Sequence, residues 1–432
     1  MKYRTQIFFL ISFVFLVSCS PSLEKNKITS TKDYEGYLKS SENNQLKTVQ
    51  ADFNFWESKL KETPNQYPYN VKLASNYNTL FKITGKIDFL KKAEKNLIVA
   101  NEKINYTNSG YLRSLARNYI SQHRFKESLA LLLKAEKLGQ NLKGTQKMLI
   151  DVYLELGNYA KVESYLTEIR DINDFDYLIR ISKYNDHLGN LEDAINYLEK
   201  SLAIAKSKKN ASLLKWNYTN LADYYGHAGR IKDSYNAYLK ALEIDSNDAY
   251  AKKGIAWIVY SYERNPEEAL RILDEVSKKN ASPDYYLLKA EIAEFMNDEE
   301  KKETNLALYF SAIDTEMYGD MYNKYNSILL ADDFKTIDKA LEIAKIEVKN
   351  RPTAQSYDLL AWSYYKKGDY KKALEITENH VIGHTFEPQA LLHAAHILKV
   401  NGKDSETIKL KEELLGSIYE LGPLTEKEIQ NI

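Results

Sequence analysis

The chain has 432 residues, and its 60 lysines and arginines balance 60 aspartates and glutamates, so the formal net charge is zero. This balance gives no electrostatic reason to expect binding to nucleic acid. Eight prolines and 16 glycines are few for a turn-rich β-sandwich or barrel, so the composition favours a helical protein.

An apolar segment that ends at a cysteine is the first element of the chain. Two cations near the N-terminus precede an apolar run over residues 7–17, and Ser18 and Cys19 follow it. A charged start, an apolar stretch of this length and a small residue at its end are typical of a secretory signal peptide. The run is too short to cross a bilayer comfortably as a mature helix. We therefore predict a signal peptide over residues 1–18.

The sequence Leu16-Val17-Ser18-Cys19 resembles the lipobox of bacterial lipoprotein signal peptides. The resemblance implies that Cys19 is lipidated, becomes the first mature residue and anchors the chain to the bacterial cell envelope. Ser20 stands where inner-membrane retention signals carry an aspartate, which favours the outer membrane. A cleaved secretory signal with an incidental cysteine and a short membrane anchor are the alternatives. Cys19 is the only cysteine, so disulfides are excluded.

Two further elements precede the main body of the chain. Residues 19–45 are rich in Ser, Lys and Asn, and we predict a flexible tether there. Residues 46–62 predict a leading helix, because Phe53, Trp56 and Leu60 recur at helical spacing on one side.

Apolar, small and aromatic residues then recur with a shared spacing, and the first two copies below are 34 residues apart. The recurring residues are Leu115, Ala116 and Tyr119; Leu149, Ile150 and Tyr153; Leu221, Ala222 and Tyr225; and Leu360, Ala361 and Tyr364. Positions i, i+1 and i+4 form one face of a first helix. A glycine such as Gly157 ends that helix, and a second apolar-periodic helix follows. Neither helix buries its apolar face alone, so the hairpins are expected to stack.

This arrangement resembles the tetratricopeptide repeat, whose signature places a large residue, Leu, a small residue and Tyr on the first helix. The segments that match are 109–142, 143–176, 175–208, 215–248, 321–354 and 354–387. The resemblance implies an all-α, right-handed α-α solenoid of about ten helical hairpins over residues 46–403. We predict a C-terminal capping helix and tail over residues 404–432, where Gly422 and Pro423 end a polar helix.

The common motifs of catalytic and cofactor sites are missing from the sequence. It contains no glycine-rich phosphate loop, no G-x-S-x-G elbow, no H-E-x-x-H and no C-x-x-C. We therefore predict no enzyme activity, no cofactor and no metal.

Four of the seven histidines are clustered, and they are the strongest argument against that prediction. They are His380, His384, His393 and His396. Pairs spaced by three or four residues are able to chelate a metal from one helical turn. His384 follows Gly383 and lies in a predicted loop, so packing or surface roles are favoured. A metal-handling envelope protein or enzyme remains an alternative.

The family resemblance also implies a concave groove lined by the first helices. The groove positions are Arg113, Arg117, Lys147, Asp151, Lys183, Trp216, Asp223, His227, Asp358, Trp362, Tyr365 and Lys366. Arg113 and Arg117 are similar in place to cations that clamp the C-terminal carboxylate of a peptide, although Asp151 departs from that pattern. Ordinary exposed charges are the competing interpretation. Trp362 is the expected aromatic anchor, unless a shift of one residue in register places it in the core.

These observations predict a membrane-anchored, non-enzymatic scaffold that binds an envelope protein or peptide in the concave groove. The alternative is a glycan-binding outer-membrane lipoprotein that resembles the starch-utilisation family. In that case some of the 34 tyrosines would serve as stacking platforms for sugar rings.

Overall fold

The computed structural model describes residues 27–40 and 43–432, and within them all regular structure is helical. The predicted signal peptide and Cys19 lie outside the described residues. No helix in this part of the chain is both long enough and apolar enough to cross a membrane.

Ten consecutive helical hairpins make up the body of the described chain, each a first helix followed by a second. Two helices precede them, α1 (Thr31–Lys39) and α2 (Asn44–Glu62). The hairpin helices are α3 (Pro68–Thr84) and α4 (Ile87–Lys103), α5 (Ser109–Ser121) and α6 (Phe125–Leu138), α7 (Leu142–Glu155) and α8 (Tyr159–Glu168), α9 (Phe175–His187) and α10 (Leu191–Ser207), α11 (Ala211–His227) and α12 (Ile231–Ile244), α13 (Ala249–Trp257) and α14 (Pro266–Ser277), α15 (Asp284–Phe295) and α16 (Glu299–Ile313), α17 (Asn323–Ala331) and α18 (Ile337–Asn350), α19 (Ala354–Lys366) and α20 (Tyr370–His380), α21 (Pro388–Val400) and α22 (Asp404–Leu415). Two short helices end the chain, α23 (Ile418–Leu421) and α24 (Thr425–Asn431), and a π-helical turn (Ile258–Tyr262) extends α13.

Small residues at the recurring positions explain why the helices pack closely. Ala116, Ala222 and Ala361, each one position after the recurring leucine, are fully buried. A methyl side chain there lets the neighbouring helix approach, and the flanking apolar residues fill the remaining space. The predicted all-α architecture of about ten stacked hairpins is confirmed.

The solenoid coils tightly enough for hairpins far apart in sequence to touch. The backbone N–H of Ala281 donates to the carbonyl of Thr84 at 2.7 Å, which joins the sixth and first hairpins. A Cβ added to Gly157, in the third hairpin, would lie 3.0 Å from the carbonyl oxygen of Pro352. Gly157 has φ +72°, so it both turns the chain and permits this approach. Successive turns of the coil therefore stack on one another.

The seventh hairpin, α15 and α16, shows why residues 284–320 depart from the repeat pattern. Tyr309 and Tyr318 of this region form an apolar cluster with Ile87 and Leu90 of the first hairpin. Their side chains serve a contact between turns of the coil, a requirement that the repeat signature does not encode.

The prediction of a flexible tether over residues 19–45 is wrong where the structure describes it. Helix α1 buries Tyr34 and Leu38 against the second helices of the fifth and sixth hairpins. The carboxylate of Glu263 accepts hydrogen bonds from the backbone N–H groups of Ile28 and Thr29, at 2.6 and 2.5 Å. The segment is polar overall, but Tyr34 and Leu38 are spaced i, i+4 and so lie on one face of the helix. These two side chains are enough to dock α1 on the hairpins.

The C-terminal region is also more than a capping helix with a tail. Helix α22 begins at Asp404, but the chain then continues into α23 and α24. Ile429 of α24 is fully buried among Leu391, Leu392 and Leu414. The last residues therefore belong to the packed structure of the tenth hairpin.

Candidate binding surface

Polar ladders join the first helices of neighbouring hairpins at several predicted groove positions. Lys147 of α7 lies 2.8 Å from the carboxylate of Asp174, just before α9. Asp151 of α7 pairs with Arg180 of α9 at 2.6 Å. The predicted positions therefore lie on adjacent helices, as expected, but these side chains already have partners within the chain.

Arg113 and Arg117 differ from the other predicted groove cations, because neither forms an ion pair in the described part of the chain. The guanidinium of Arg113 donates to the backbone carbonyl of Gln140 at 2.8 Å and to the hydroxyl of Thr145 at 3.0 Å. The nearest polar contact of Arg117, which is exposed, is the sulfur of Met148 at 4.0 Å. Both charges are therefore available to an anion from outside the chain.

Lys82 of α3 extends this cationic group across hairpins. Desolvation and then the charge of Arg117 lower the pKa of Lys82, and Lys215 lowers it further. Burial and the charge of Arg117 also lower the pKa of Arg113. We name Lys82, Arg113 and Arg117 the basic cluster; its members repel one another, and no acidic side chain of the described residues pairs with them.

Lys82 was not among the predicted site residues. The first hairpin matches the repeat pattern only with an insertion before Gly85, so its groove positions could not be assigned from spacing. The only sequence signal was a lysine in the last turn of the predicted first helix. The coil, which brings α3 near Lys215 of α11, supplies the remainder of the site.

Coiling turns part of the expected groove into a central, partly open cavity of about 610 Å³. Of the predicted residues, Lys183 and His227 line it, together with Glu387 just before α21 and Glu420 of α23. Burial raises the pKa of Glu420, and the charge of Glu387 raises it further. Burial lowers the pKa of His187, which also lines the cavity.

An ion-pair network spans the wall of this cavity between turns of the coil. Glu155 of α7 pairs with Lys183 of α9 at 2.9 Å and with Arg351 at 3.2 Å. Burial alone would raise the pKa of Glu155, but the two cations outweigh it and the pKa is lowered. Arg351 also contacts Glu347, whose side chain is 5% exposed, at 3.2 Å. These groups stabilise the coil and are not free to bind a partner.

Trp362 and Asp358, predicted to face the groove, are instead buried. The Trp362 ring is stacked on the His393 imidazole, with centroids 4.0 Å apart, and Trp362 is 7% exposed. The Nδ1 atom of His393 lies 3.0 Å from a carboxylate oxygen of Asp358. The Tyr365 ring also stacks on the Trp362 ring, with centroids 4.9 Å apart. The Trp362 side chain therefore packs between the ninth and tenth hairpins. This is the outcome expected if the repeat register is shifted by one residue, which places Trp362 in the core.

The remaining predicted groove residues are partly occupied within the chain. The Nζ of Lys366 lies 4.8 Å from the ring centroid of Trp362 and 2.7 Å from a carboxylate oxygen of Asp332. The carboxylate of Asp223 accepts hydrogen bonds from the Tyr238 and Tyr250 hydroxyls, at 2.5 and 2.7 Å. Trp216 is 39% exposed.

The clustered histidines do not converge on one point. The His380 ring stacks on Tyr357 at 3.8 Å, His393 faces Asp358, and His396 lies 2.7 Å from Glu428. No group of three or more metal-binding side chains is found among the described residues. Ring stacking and pairing with carboxylates therefore account for the positions of His380, His393 and His396.

The tyrosines expected as sugar-stacking platforms include many core residues. Among the largest fully buried side chains are Tyr34, Tyr235, Tyr260 and Tyr309. Their rings fill space between helices and are not presented to a ligand.

Comparisons with known proteins identify the repeat. Segments 175–208, 217–248 and 354–378 match the family model described as tetratricopeptide repeat. A TPR repeat-containing protein of Methanocaldococcus jannaschii is 25% identical over 353 residues, which cover 76% of this chain. The chain spans 61% of the length of that relative.

Two solved structures of helical repeat proteins are similar at low sequence identity. A human IFIT1 dimer with PPP-AAAA is 15% identical, covering 76% of this chain and 77% of that one, with a TM-score of 0.46. Yeast Tom70 is 15% identical, covering 93% of this chain and 94% of that one, with a TM-score of 0.37. Scores this low establish neither a common coil geometry nor a common ligand.

Proposed function

We propose that this chain, three segments of which match the tetratricopeptide repeat model, is a non-enzymatic scaffold that binds a protein or peptide partner through its basic cluster. The proposal includes a lipid anchor at Cys19, which would hold the scaffold at the bacterial outer membrane. Its partner is an envelope protein that presents an acidic segment or a C-terminal carboxylate.

The observation that carries the proposal is the absence of ion-pair partners around Lys82, Arg113 and Arg117 in the described residues. Other cations on the first helices, such as Lys147 and Lys183, are neutralised by acids of a neighbouring hairpin. Unpaired like charges close together cost free energy, and an anionic partner relieves that cost. Complementary charge of this kind gives specificity and a faster association rate.

The test is cross-linking in intact cells, with captured partners identified by mass spectrometry. The full-length chain is compared with an Arg113→Glu/Arg117→Glu variant. We expect the parent to capture one envelope protein and the variant to lose it, with circular dichroism showing that the variant stays folded. A matched control, Lys371→Glu/Lys409→Glu, reverses two exposed charges on other helices and should retain the partner. Capture that is absent, or equal in all three chains, contradicts the proposal.

The anchor is tested separately by fractionation. Cys19→Ala should abolish incorporation of labelled palmitate and should move the chain out of the membrane fraction. Persistence of both signals in the variant would contradict lipidation at this residue.

A further inference from the structure

The C-terminal segment crosses the coil and contacts the fifth and sixth hairpins. We name residues 417–426 the C-terminal clasp. The backbone carbonyl of Tyr419 accepts two hydrogen bonds from the sixth hairpin, one from Trp257 Nε1 at 3.1 Å and one from Ser261 Oγ at 2.6 Å. A single carbonyl that satisfies two side-chain donors fixes the register of the clasp on this hairpin.

The Tyr419 ring occupies space that only a glycine leaves open. A Cβ at Gly226, within helix α11, would lie 2.7 Å from Cε1 of Tyr419. Glycine inside a helix destabilises it by about 1 kcal/mol relative to alanine. The close approach of the clasp gives a physical reason for this otherwise unfavourable residue.

Polar side-chain contacts lie at both ends of the clasp. Arg264 of the sixth hairpin lies 3.0 Å from a carboxylate oxygen of Glu426. Glu420 lies 4.0 Å from the imidazole of His227 on the fifth hairpin. Both contacts are partly exposed, and such pairs are individually weak, so water is able to replace them when they separate.

The helix beneath the clasp is irregular at the same place. The π-helical turn Ile258–Tyr262 contains the donor Ser261, and the donor Trp257 and the cation Arg264 flank it. Such turns are uncommon and frequently occur at functional sites. Here the turn presents Ser261 toward the Tyr419 carbonyl.

The clasp also forms part of the wall of the central cavity. Ser417 and Glu420 line the cavity together with His227 and His187. Helix α24, by contrast, packs on its own hairpin through Ile429 and Leu414. Separation at the clasp would therefore leave the tenth hairpin intact and would open the coil between it and the fifth and sixth hairpins.

We propose that the C-terminal clasp is a reversible closure of the coil against the fifth and sixth hairpins that sets the width of the central cavity. When the clasp is docked, Tyr419 packs on Gly226, and Glu420 forms part of the cavity wall beside His227. When it separates, the cavity, which is already partly open to solvent, widens between the clasp and the fifth and sixth hairpins. This closure is independent of the basic cluster, which lies on the first and second hairpins.

The first test uses Gly226→Ala in the full-length chain. The added methyl group improves helix propensity but collides with the Tyr419 ring, so we expect the clasp to separate while the hairpins stay folded. Diethylpyrocarbonate labelling with mass spectrometry reports access to His187 inside the cavity. Labelling of His187 should become several times faster than in the parent, whereas labelling of the exposed His384 should not change.

A second variant keeps the result interpretable. Gly226→Ala/Tyr419→Ala removes both the collision and the ring, and it should label His187 as fast as the single variant does. Hydrogen exchange should also be faster in both variants at residues 417–421 and 258–264 only. The proposal is overturned if His187 labels at the parent rate in Gly226→Ala, or if exchange accelerates uniformly along the chain.

Discussion

Trp362 shows how one side chain is moved from a binding role to a structural one. Its ring lies between Tyr365 and His393, and it is 7% exposed. We expect Trp362→Ala to lower the free energy of unfolding by about 3–5 kcal/mol, since it leaves a cavity between two hairpins. Denaturant unfolding followed by circular dichroism measures the change.

Trp216→Ala is the matched control for that measurement. Trp216 is also an aromatic on a first helix, but it is 39% exposed, so its loss should cost far less. Equal costs for the two substitutions would contradict the assignment of Trp362 to the core.

Glu291 makes the closure of the coil sensitive to pH. Its Oε1 is buried without a hydrogen-bond partner, and a Cβ added to Gly422 of the clasp would lie 2.6 Å from it. The pKa of Glu291 is raised from 4.5 to about 7, chiefly by burial; the Tyr260 hydroxyl opposes the rise and the nearby charge of Glu294 adds to it. Arg264, the charged group of the sixth hairpin in this region, pairs with Glu426 of the clasp.

The sign of the pH dependence follows from that raised pKa. The closed coil favours the protonated carboxyl, so the stabilising effect is complete below pH 4.5 and is lost as the pH rises through about 7. Burial also raises the pKa of Glu420, which His227 and Lys324 oppose and Asp186 and Glu387 reinforce, so Glu420 acts in the same direction. We expect faster hydrogen exchange of residues 417–421 at pH 8 than at pH 5, after correction for the intrinsic rate.

Glu291→Gln separates this effect from a general loosening of the protein. The neutral amide cannot ionise, so the variant should lose a large part of the pH dependence and keep the closed coil at pH 8. An unchanged pH profile in Glu291→Gln would show that Glu291 is not the controlling group.

At the scale of elements, α1 links the N-terminal region to the middle of the coil. Tyr34 is buried, and its hydroxyl donates to the Glu268 carboxylate at 2.6 Å. Leu38 is buried on the same face. We expect Tyr34→Ala/Leu38→Ala to release α1, because the helix has nine residues and such a short helix is marginal without its packing.

Hydrogen exchange of residues 30–40 measures that release. Protection should fall in the double variant and should persist in Lys32→Ala, which changes an exposed residue of the same helix. Loss of protection in both variants, or in neither, would contradict the docking of α1 through its apolar face.

At the scale of the whole molecule, contacts between turns convert a stack of hairpins into a closed coil. Arg351 reaches Glu155 of the third hairpin and Glu347 of its own, and its guanidinium lies 5.4 Å from the Phe125 ring centroid. Arg351→Ala should cost about 1.5–3 kcal/mol, since Glu347 keeps the hydrogen bond from Asn323 at 2.8 Å. The coil should also expand.

Small-angle X-ray scattering and denaturant unfolding together test this expectation. Arg351→Ala should show a larger radius of gyration and a lower unfolding midpoint. Lys240→Ala, which removes a surface pair with Glu243 on one helix, should change neither quantity appreciably. An unchanged radius in Arg351→Ala would indicate that apolar contacts alone close the coil.

The sequence by itself determined the helical hairpins and their number, because their signals are local. Periodic leucines, a small residue such as Ala116 and a turn residue such as Gly157 specify each hairpin within about 34 residues. Arg113 and Arg117 were identified as cations of one surface from that spacing.

Only the tertiary structure decided which of these side chains remain free. Coil curvature brings Lys82 to the basic cluster, forms the cavity and places Tyr419 over Gly226, a pair separated by most of the second half of the chain. Likewise, whether Trp362 is exposed or buried depended on a one-residue difference in the repeat register and on stacking with His393 of the next hairpin. Such outcomes arise from small rotations summed over ten hairpins, which local spacing does not encode.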